Sequence, residues 1–294
     1  MGDAVLWIAT GLATLLVLFI LVVILVDVAK NGFPRLTLGF ITKAPSEGMT
    51  AGGIFPAIFG TVALVLLMTI AALPAGVATA IYLHEYANPS APATRMVRIA
   101  VNNLAGVPSI VFGLFGLGFF VQFVGGGIDK FFYAGDKVFG QPALIWAALT
   151  MAILTLPVVI VATEEALSAV PRDLRLGSAA LGASKFQTII HVVLPQAVPG
   201  ILTGAILAIS RGAGEVAPIL FTGAAYFLPT LPHTLHDQFM QLGYHVYVLA
   251  TQSPDVDATR PLLYATVLVL LVLTFALNAT AIVVRSRMRK KLHA

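Results

Sequence analysis

The segment VPGILTGAILAISRGAGEVAPILF, Val198 to Phe221, is long and apolar enough to cross a membrane, yet it contains an arginine and a glutamate. About 20 apolar helical residues span the roughly 30 Å hydrocarbon core of a bilayer. An arginine in the middle of such a helix costs roughly 2.5–3.5 kcal/mol on insertion scales. We therefore expect Arg211 to face the protein interior or a water-filled cavity.

Arg211 and Glu215 are four residues apart, a spacing that places two side chains on one face of a helix. In one interpretation they form an ion pair that locks two helices together, although a buried ion pair often stabilises no more than apolar residues do. In the other, the guanidinium binds a tetrahedral oxyanion on a solute path and the carboxylate keeps that binding weak enough for release. Glu215 could also accept a hydrogen bond from a protonated oxyanion, which distinguishes phosphate from sulfate at neutral pH.

Small residues recur every fourth position in the same segment, at Gly200, Gly204, Ala208 and Gly212. They form a ridge on a face adjacent to that of Arg211. Because such a ridge lets two helix backbones approach closely, this face should pack against another helix.

The composition indicates an integral membrane protein. Hydrophobic residues make up 59% of the 294 residues, charged residues 10%, and the mean hydropathy is +0.95. A soluble domain is about half apolar and about a quarter charged. The net charge of +4 is too small for a nucleic-acid-binding surface, and the absence of cysteine excludes disulfides, thiolate nucleophiles and cysteine metal sites.

Six apolar runs have the length of a membrane span, so we predict an all-α integral membrane protein with six transmembrane helices. The first run is too long for the apolar part of a signal peptide and lacks a basic segment before it. The runs are Val5 to Val26, Phe55 to Leu83, Ile99 to Val124, Ala143 to Thr163, Val198 to Phe221 and Leu262 to Val284.

The basic residues of the connecting segments predict that both termini lie in the cytoplasm. With that orientation, ten lysines and arginines lie inside and six lie outside. The inside residues are Arg95, Arg98, Arg172, Arg175, Lys185, Arg285, Arg287, Arg289, Lys290 and Lys291; the outside residues are Lys30, Arg35, Lys43, Lys130, Lys137 and Arg260.

Two connections are long enough to have a function of their own. The inside connection, Glu164 to Ala197, is predicted to form short amphipathic helices that lie on lipid or dock into a partner's groove. The outside connection, Gly223 to Arg260, contains His233, His236, Asp237 and His245. These residues suggest a metal site, but we favour an exposed amphipathic helix with its histidines on the wet face.

The sequence contains no GxxxxGK[ST] phosphate loop, no GxSxG elbow and no HExxH helix. We therefore expect no catalytic site on this chain. Adjacent helical residues do not face each other, so His84 and Glu85 are interpreted as an interfacial pair at the end of the second span.

The inside connection resembles the cytoplasmic loop of ABC-importer permeases. Gly182, Val192 and Leu194-Pro195 match the glycine and the I-x-L-P ending of that loop, whereas Leu176, Gly177 and Ser178 replace its EAA start. Three further stretches are similar to the permease subunits of bacterial phosphate importers, and the similarity extends from about Phe55 to Arg285. They are NNLAGVPSIVFGLFGL (Asn102 to Leu117), TEEALSAVPRDLR (Thr163 to Arg175) and RGAGEVAP (Arg211 to Pro218).

The resemblance implies a type I ABC importer permease fold with a cytoplasmic coupling helix around Leu174 to Phe186, framed by Pro171 and Gly182. It also implies that Arg211 and Glu215 line the phosphate path, with Asn102, Asn103 and Ser109 of the third span as polar neighbours. An asparagine in a membrane helix can instead bond across a helix interface. The implied coupling residues are Pro171, Arg172, Leu174, Leu181, Gly182, Ala183, Phe186, Val192, Leu194 and Pro195.

The same resemblance implies the partners and the location. They are a homologous permease, two ATPase subunits that bind ATP and Mg²⁺, an external phosphate-binding protein and the lipid of the bacterial inner membrane; this chain would hold no cofactor and bind no nucleic acid. We divide the chain into an N-terminal helix with its external connection (1–53), a five-helix permease domain (54–285) and a basic tail (286–294). Alternatives are a permease for molybdate or sulfate, and a membrane scaffold or sensor.

Overall fold

The structure, a computed structural model, describes residues 2–253 and 255–292, and six helical runs in this part are long and apolar enough to cross a membrane. This confirms the expected all-α architecture with six membrane helices. The runs are Val5–Arg35, Phe55–Tyr86, Ser109–Phe132, Leu144–Ser168, Lys185–Gly214 and Val256–Met288.

The first half of the chain contains the first three membrane-spanning runs. The elements are α1 (Gly2–Gly32), a 3₁₀ turn (Phe33–Arg35), α2 (Leu38–Thr42), a two-stranded antiparallel hairpin of β1 (Pro45–Ser46) and β2 (Ala51–Gly52), α3 (Phe55–Ile81) with a π-helical turn (Tyr82–Tyr86), α4 (Pro92–Leu104), α5 (Ser109–Phe115), a π-helical stretch (Gly116–Gly125) and α6 (Gly126–Phe132).

The second half forms the centre of the bundle. Its elements are α7 (Leu144–Ser168), α8 (Arg172–Ala180), α9 (Lys185–Thr188), a π-helical turn (Ile189–Val193), α10 (Leu194–Gly214), α11 (Leu242–Thr251) and α12 (Val256–Leu292). Helix α7 packs against α3 and α10, and α10 packs in turn against α12. The main core lies between these helices and the chain that follows α10, and its fully buried side chains include Leu64, Met68, Met151, Ile219 and Phe239.

The predicted small-residue ridge of α10 packs closely against two neighbouring helices. A Cβ atom added at Gly204 would lie 2.7 Å from the Cβ of Ala162 on α7, and one added at Gly212 would lie 2.5 Å from the Sδ of Met68 on α3. Real Cβ atoms almost never approach so closely, so a side chain at Gly204 would have to displace Ala162, and one at Gly212 would have to displace the flexible end of Met68. The ridge therefore sets the distance of α10 from α7 and from α3.

Two of the predicted spans have wrong boundaries. The run Ile99 to Val124 is interrupted by a turn at residues 105–108, where Gly106 and Pro108 end α4 and the extended backbone of Pro108 starts α5. The apolar residues before this turn belong to the amphipathic helix α4. The run Val198 to Phe221 is also not one helix, because α10 ends at Gly214.

Helix α12 continues through residues 286–292, which we interpreted as a tail, and residues 293–294 lie outside the described part. The proposed division at residues 53 and 285 stays a prediction. Helix α1 is exposed along almost its whole length and contacts the bundle mainly through α12, where a Cβ added at Gly32 would lie 2.7 Å from the carbonyl oxygen of Tyr264.

We expect Gly204→Ala to destabilise the protein although alanine favours helices by about 1 kcal/mol over glycine. The added methyl must displace Ala162 or α7, and overpacking of this kind costs about 1–3 kcal/mol. The matched control is Gly118→Ala, because a Cβ at Gly118 meets no atom within 4 Å. The thermal unfolding midpoint of the detergent-solubilised protein should fall for Gly204→Ala and not for Gly118→Ala; equal midpoints would contradict the packing role of the ridge.

Candidate functional site

Arg211 and Glu215 contact each other, although not in the way that a continuous helix would bring them together. The Nε atom of Arg211 lies 3.3 Å from Oε1 of Glu215. Arg211 occupies the last turn of α10, whereas Glu215 follows the helix with an extended backbone. The predicted contact is therefore present, but the predicted shared helix face and mid-helix position of Arg211 are wrong. A cation in the last turn also interacts favourably with the carbonyl end of the helix.

The two side chains are partly open rather than enclosed. The Arg211 side chain is 38% exposed and that of Glu215 is 22% exposed. Nε donates to Glu215, and the two terminal nitrogens of Arg211 make no hydrogen bond to any other residue that the structure describes. The guanidinium thus keeps a pair of donors available for a ligand.

The chain after Glu215 leaves the helix but stays inside the protein. Residues 216–225 pass beside α5 and α7, where a Cβ at Gly113 would lie 2.9 Å from the carbonyl oxygen of Ala217. Irregular backbone is tolerated at membrane depth when the protein supplies its hydrogen bonds. Here the amide of Ala143 donates to the Thr222 carbonyl at 2.8 Å, and the amide of Ala225 donates to Phe239 at 2.8 Å.

The buried side chain of Gln241 makes hydrogen bonds to the ends of two helices. Its amide nitrogen donates to the carbonyl of Ala213 at the end of α10, at 3.2 Å, and its amide oxygen accepts from the Tyr244 amide in the first turn of α11, at 2.6 Å. Gln241 is fully buried. The early end of α10 is thus a stable feature with its own hydrogen-bond partners.

Of the other predicted path residues, Asn102 lies on the same side of the bundle as Arg211. It lines an open cleft of about 430 Å³ together with Glu165 of α7 and Leu207 of α10. Leu207 is one helical turn before Arg211, so the cleft and the guanidinium share one side of α10. Sequence reasoning missed Glu165, whose signal was a second carboxylate next to Glu164.

The placement of Asn102 and Asn103 in the third span is wrong, because both are exposed residues of α4. Ser109 is the first residue of α5 and is half-buried. Among the described residues, neither Asn103 nor Ser109 lines the cleft that contains Asn102.

The predicted coupling helix corresponds to α8, but it is shorter than expected. Pro171 precedes α8 with an extended backbone, and Gly182 follows it with φ +83°, a left-handed conformation that favours glycine. The framing by Pro171 and Gly182 is thus present. Phe186 belongs to α9, which begins anew with a capping box between Ser184 and Gln187.

The remaining coupling residues divide between the surface and the next membrane helix. Arg172 starts α8, and Ala183 is partly buried just after Gly182. Val192, Leu194 and Pro195 lie within the helical run Lys185–Gly214 rather than in a loop, because the π-helical turn joins α9 to α10 without a break. The predicted 34-residue connection is therefore much shorter.

Four large apolar side chains around α8 are exposed, and we name them the coupling patch: Leu174 (42% exposed), Leu176 (67%), Leu181 (91%) and Phe186 (63%). Scattered exposed leucines are common, but these four exposed side chains all lie between Leu174 and Phe186, on α8, just after α8 and on α9. Such patches mark surfaces that another protein or a membrane covers.

The residues of the metal hypothesis do not form a metal-ligating group in the part of the chain that the structure describes. His233 and His236 lie in a non-helical loop, and the side chain of Asp237 accepts from the amides of His233 and Thr234, both at 2.8 Å. The hydrogen bonds from Thr234, and then that from His233, hold the pKa of Asp237 below its ordinary value. No group of three metal-ligating side chains occurs within residues 2–253 and 255–292.

The predicted exposed helix with histidines on its wet face is also wrong. His245 lies in α11, but its side chain is 4% exposed and its Nδ1 atom has no hydrogen-bond partner among the described residues. Burial lowers the pKa of His245 to about 4. The imidazole is therefore neutral at physiological pH.

Two ion pairs at the α8 end of the bundle were not predicted. Arg98 of α4 pairs with Glu164 of α7 at 3.0 Å, and Arg175 of α8 pairs with Glu85 after α3. Glu85 is thus more than the interfacial neighbour of His84. The partners are 66 and 90 residues apart in sequence, so local spacing gave no signal for either pair.

Sequence comparison places the chain among transport proteins. The family described as "Binding-protein-dependent transport system inner membrane component" matches residues 72–290. The "Probable ABC transporter permease protein YqgI" of Bacillus subtilis is 34% identical over 262 residues, which cover 84% of each chain. The "Phosphate transport system permease protein PstA 1" of Mycobacterium tuberculosis is 34% identical and covers 80% of this chain and 71% of its own. The "Probable phosphate transport system permease protein PstA" of Methanocaldococcus jannaschii is 31% identical, and the match covers 94% of this chain and 90% of that protein.

Two solved structures have the same fold at low sequence identity. A bacterial alginate ABC transporter in complex with a periplasmic protein matches with a TM-score of 0.66 at 16% identity, and covers 94% of this chain and 92% of its own. The MetNI methionine ABC transporter matches with a TM-score of 0.59 at 17% identity, and the match covers 79% of this chain and 94% of that chain. These likenesses show the fold, and they confirm the type I ABC importer permease fold that the sequence indicated.

We expect the stability of the protein to decrease as the pH falls from about 6.5 towards 4, in part because of His245. The histidine binds a proton in this range in the unfolded protein but not in the folded protein. The resulting loss of folding free energy reaches about 3 kcal/mol at pH 4, since each unit of pKa difference corresponds to about 1.4 kcal/mol. His245→Phe should flatten this part of the pH dependence of the unfolding midpoint. His233→Gln, at an exposed position, is the control and should leave the slope unchanged; an unchanged slope in His245→Phe would contradict the assignment.

Proposed function

The chain belongs to the family of binding-protein-dependent transport system inner membrane components, and we propose that it is the permease subunit of an ATP-driven importer of inorganic phosphate. The observation that best supports phosphate as the solute is the guanidinium of Arg211, which is partly exposed beside Glu215 at the C-terminal end of α10. Relatives named phosphate permeases, which cover up to 94% of this chain, support the same solute.

The chemistry of this pair suits phosphate. The two terminal nitrogens of Arg211 can bind two oxygens of a tetrahedral anion in a bidentate manner. The Glu215 carboxylate can accept a hydrogen bond from the hydroxyl of a protonated phosphate, whereas fully ionised sulfate offers no donor and is repelled. The same carboxylate competes for the guanidinium, which keeps binding weak enough for the anion to move on. Asn102 and Glu165 would then line the path beyond Arg211, on the cleft side of α10.

The coupling patch is the proposed contact with an ATPase subunit. Its four apolar side chains lie on α8, just after α8 and on α9, at the opposite end of α10 from Arg211. An importer of this family needs an ATPase and a binding protein. We assign the ATPase to the α8 end and therefore orient both chain termini towards the cytoplasm, in agreement with the distribution of basic residues.

The composition of the assembly is proposed from the family to which the chain belongs. We propose a second, homologous permease, two ATPase subunits that hold ATP and Mg²⁺, and an external phosphate-binding protein at the far end of the bundle. This chain would contribute the solute path and the coupling patch, and the ATPases would contribute the hydrolysis.

We expect Arg211→Ala to lower phosphate uptake about tenfold or more in proteoliposomes that contain the whole complex. Each hydrogen bond to a charged group that the substitution removes costs about 1.5–3 kcal/mol. ATP hydrolysis should be retained. Arg35→Ala, at an exposed arginine after α1, is the matched control and should transport normally.

Undiminished uptake by Arg211→Ala would overturn the assignment, and a complex that no longer assembles would favour the ion-pair lock.

Glu215→Gln tests the selectivity in the same assay. It should let sulfate compete with labelled phosphate more strongly, and unchanged competition would contradict the role of the carboxylate. Displacement of phosphate by sulfate or molybdate from the unmodified complex would point to another oxyanion.

We expect Leu181→Asp and Phe186→Asp to reduce the amount of ATPase that co-purifies with the permease, because each places a charge in an apolar contact. The matched control is Leu235→Asp, at a loop leucine that is 48% exposed and lies outside the coupling patch. Equal ATPase recovery with all three variants would show that the coupling patch is not the docking surface.

A further inference from the structure

We propose that Glu85, Arg175 and Lys185 form an ionic clamp that transmits movement of α8 to the membrane helices. The proposal rests on the proposed function, because it assigns to these residues the mechanical step between the ATPase and the solute path. They are positioning residues and do not contact the solute.

Arg175 joins three helices through one side chain. Its Nη1 atom pairs with the carboxylate of Glu85, in the π-helical turn that ends α3, and its Nη2 atom donates to the carbonyl of Leu167 at the end of α7, at 2.8 Å. The Glu85 side chain is 8% exposed and that of Arg175 is 23% exposed. Because the pair is largely shielded from water, it holds the ends of α3 and α7 to the middle of α8.

Lys185 attaches a fourth helical element, α9. Its ammonium group donates to the main-chain carbonyl of Glu85 and lies 5.0 Å from the centre of the Tyr86 ring. Lys185 begins the helical run that continues to Arg211. The clamp therefore also fixes the start of the helix whose far end carries the proposed solute site.

Apolar packing does not provide this attachment. None of the nine residues of α8, all of which the structure describes, is buried. A cavity of about 300 Å³, lined by Glu85, Arg175, Lys185 and Thr188 among others, lies beside the clamp. Besides the clamp, the Oγ atoms of Ser178 and Thr188 lie 2.9 Å apart. Removal of the ion pair should therefore release α8 while the core between α3, α7 and α10 stays intact.

The result of a loosened α8 differs from that of a damaged solute site. The coupling patch could still bind the ATPases and allow ATP hydrolysis, but the movement would no longer reach α3, α7 and α10. The expected signature is hydrolysis without transport.

The test uses the complete complex in proteoliposomes with Glu85→Gln, Arg175→Gln and the charge-exchanged double variant Glu85→Arg with Arg175→Glu. We expect each single variant to lose about tenfold in phosphate uptake while it hydrolyses ATP at a rate within about twofold of the unmodified complex, so the ATP consumed per phosphate rises. The double variant restores opposite charges and should recover part of the uptake. Arg95→Gln, an exposed arginine at the same end of the bundle, is the control.

Hydrogen exchange provides a readout that does not depend on the solute. The amides of α8 should exchange about tenfold faster in Arg175→Gln than in the unmodified protein, while those of α3 and α7 stay unchanged. Unchanged exchange of α8, or an unchanged ratio of ATP to phosphate, would overturn the proposal. Loss of assembly in the single and double variants alike would also overturn it, because the clamp would then be only structural. If the unmodified complex takes up no phosphate but α8 still loosens, the proposed solute is wrong and the clamp stands.

Discussion

The hydrogen bond from Gln241 to the carbonyl of Ala213 is the contact on which the proposed solute site depends. A helix that ends inside a membrane protein leaves carbonyl groups that lipid cannot satisfy. Gln241 supplies one donor at 3.2 Å and, with its other end, caps α11. Because α10 can end at Gly214, Glu215 adopts an extended backbone and turns its carboxylate back to Arg211.

The glycine ridge and the ionic clamp constrain the two ends of the same helical run. The run from Lys185 to Gly214 has 30 residues, or about 45 Å at 1.5 Å per residue. Lys185 lies at the end held by Glu85, and Arg211 lies in the last turn at the other end. Gly204, between them, and Gly212, next to Arg211, allow α10 to lie directly against α7 and α3. A displacement of α8 would therefore act on helices that pack directly against α10, whose last turn carries Arg211.

Sequence patterns predicted the features that depend on local chemistry. The predictions were wrong or missing where contacts between distant residues determine the structure. The number of membrane spans and the small-residue ridge were correct because apolar length and four-residue spacing are local properties. The span Ile99 to Val124 was wrong because its first part is the apolar face of α4, and hydropathy alone does not distinguish such a face from a span. Gly106 and Pro108 were the signals for the break. The pair of Glu85 with Arg175 brings α8 to the π-helical turn that follows α3, and no spacing in the sequence predicts this contact between residues 90 positions apart.

Helix α8 is amphipathic in an unusual sense, because its apolar side chains face away from its own protein. Leu174 and Leu176 are exposed, while Arg175 between them points to Glu85 and Leu167. An isolated permease gains nothing from this arrangement, since the apolar side chains stay in contact with water. It becomes favourable when another surface covers the coupling patch. The ionic attachment then follows from the same arrangement, because a helix that reserves its apolar residues for a partner has only polar groups with which to hold its own chain.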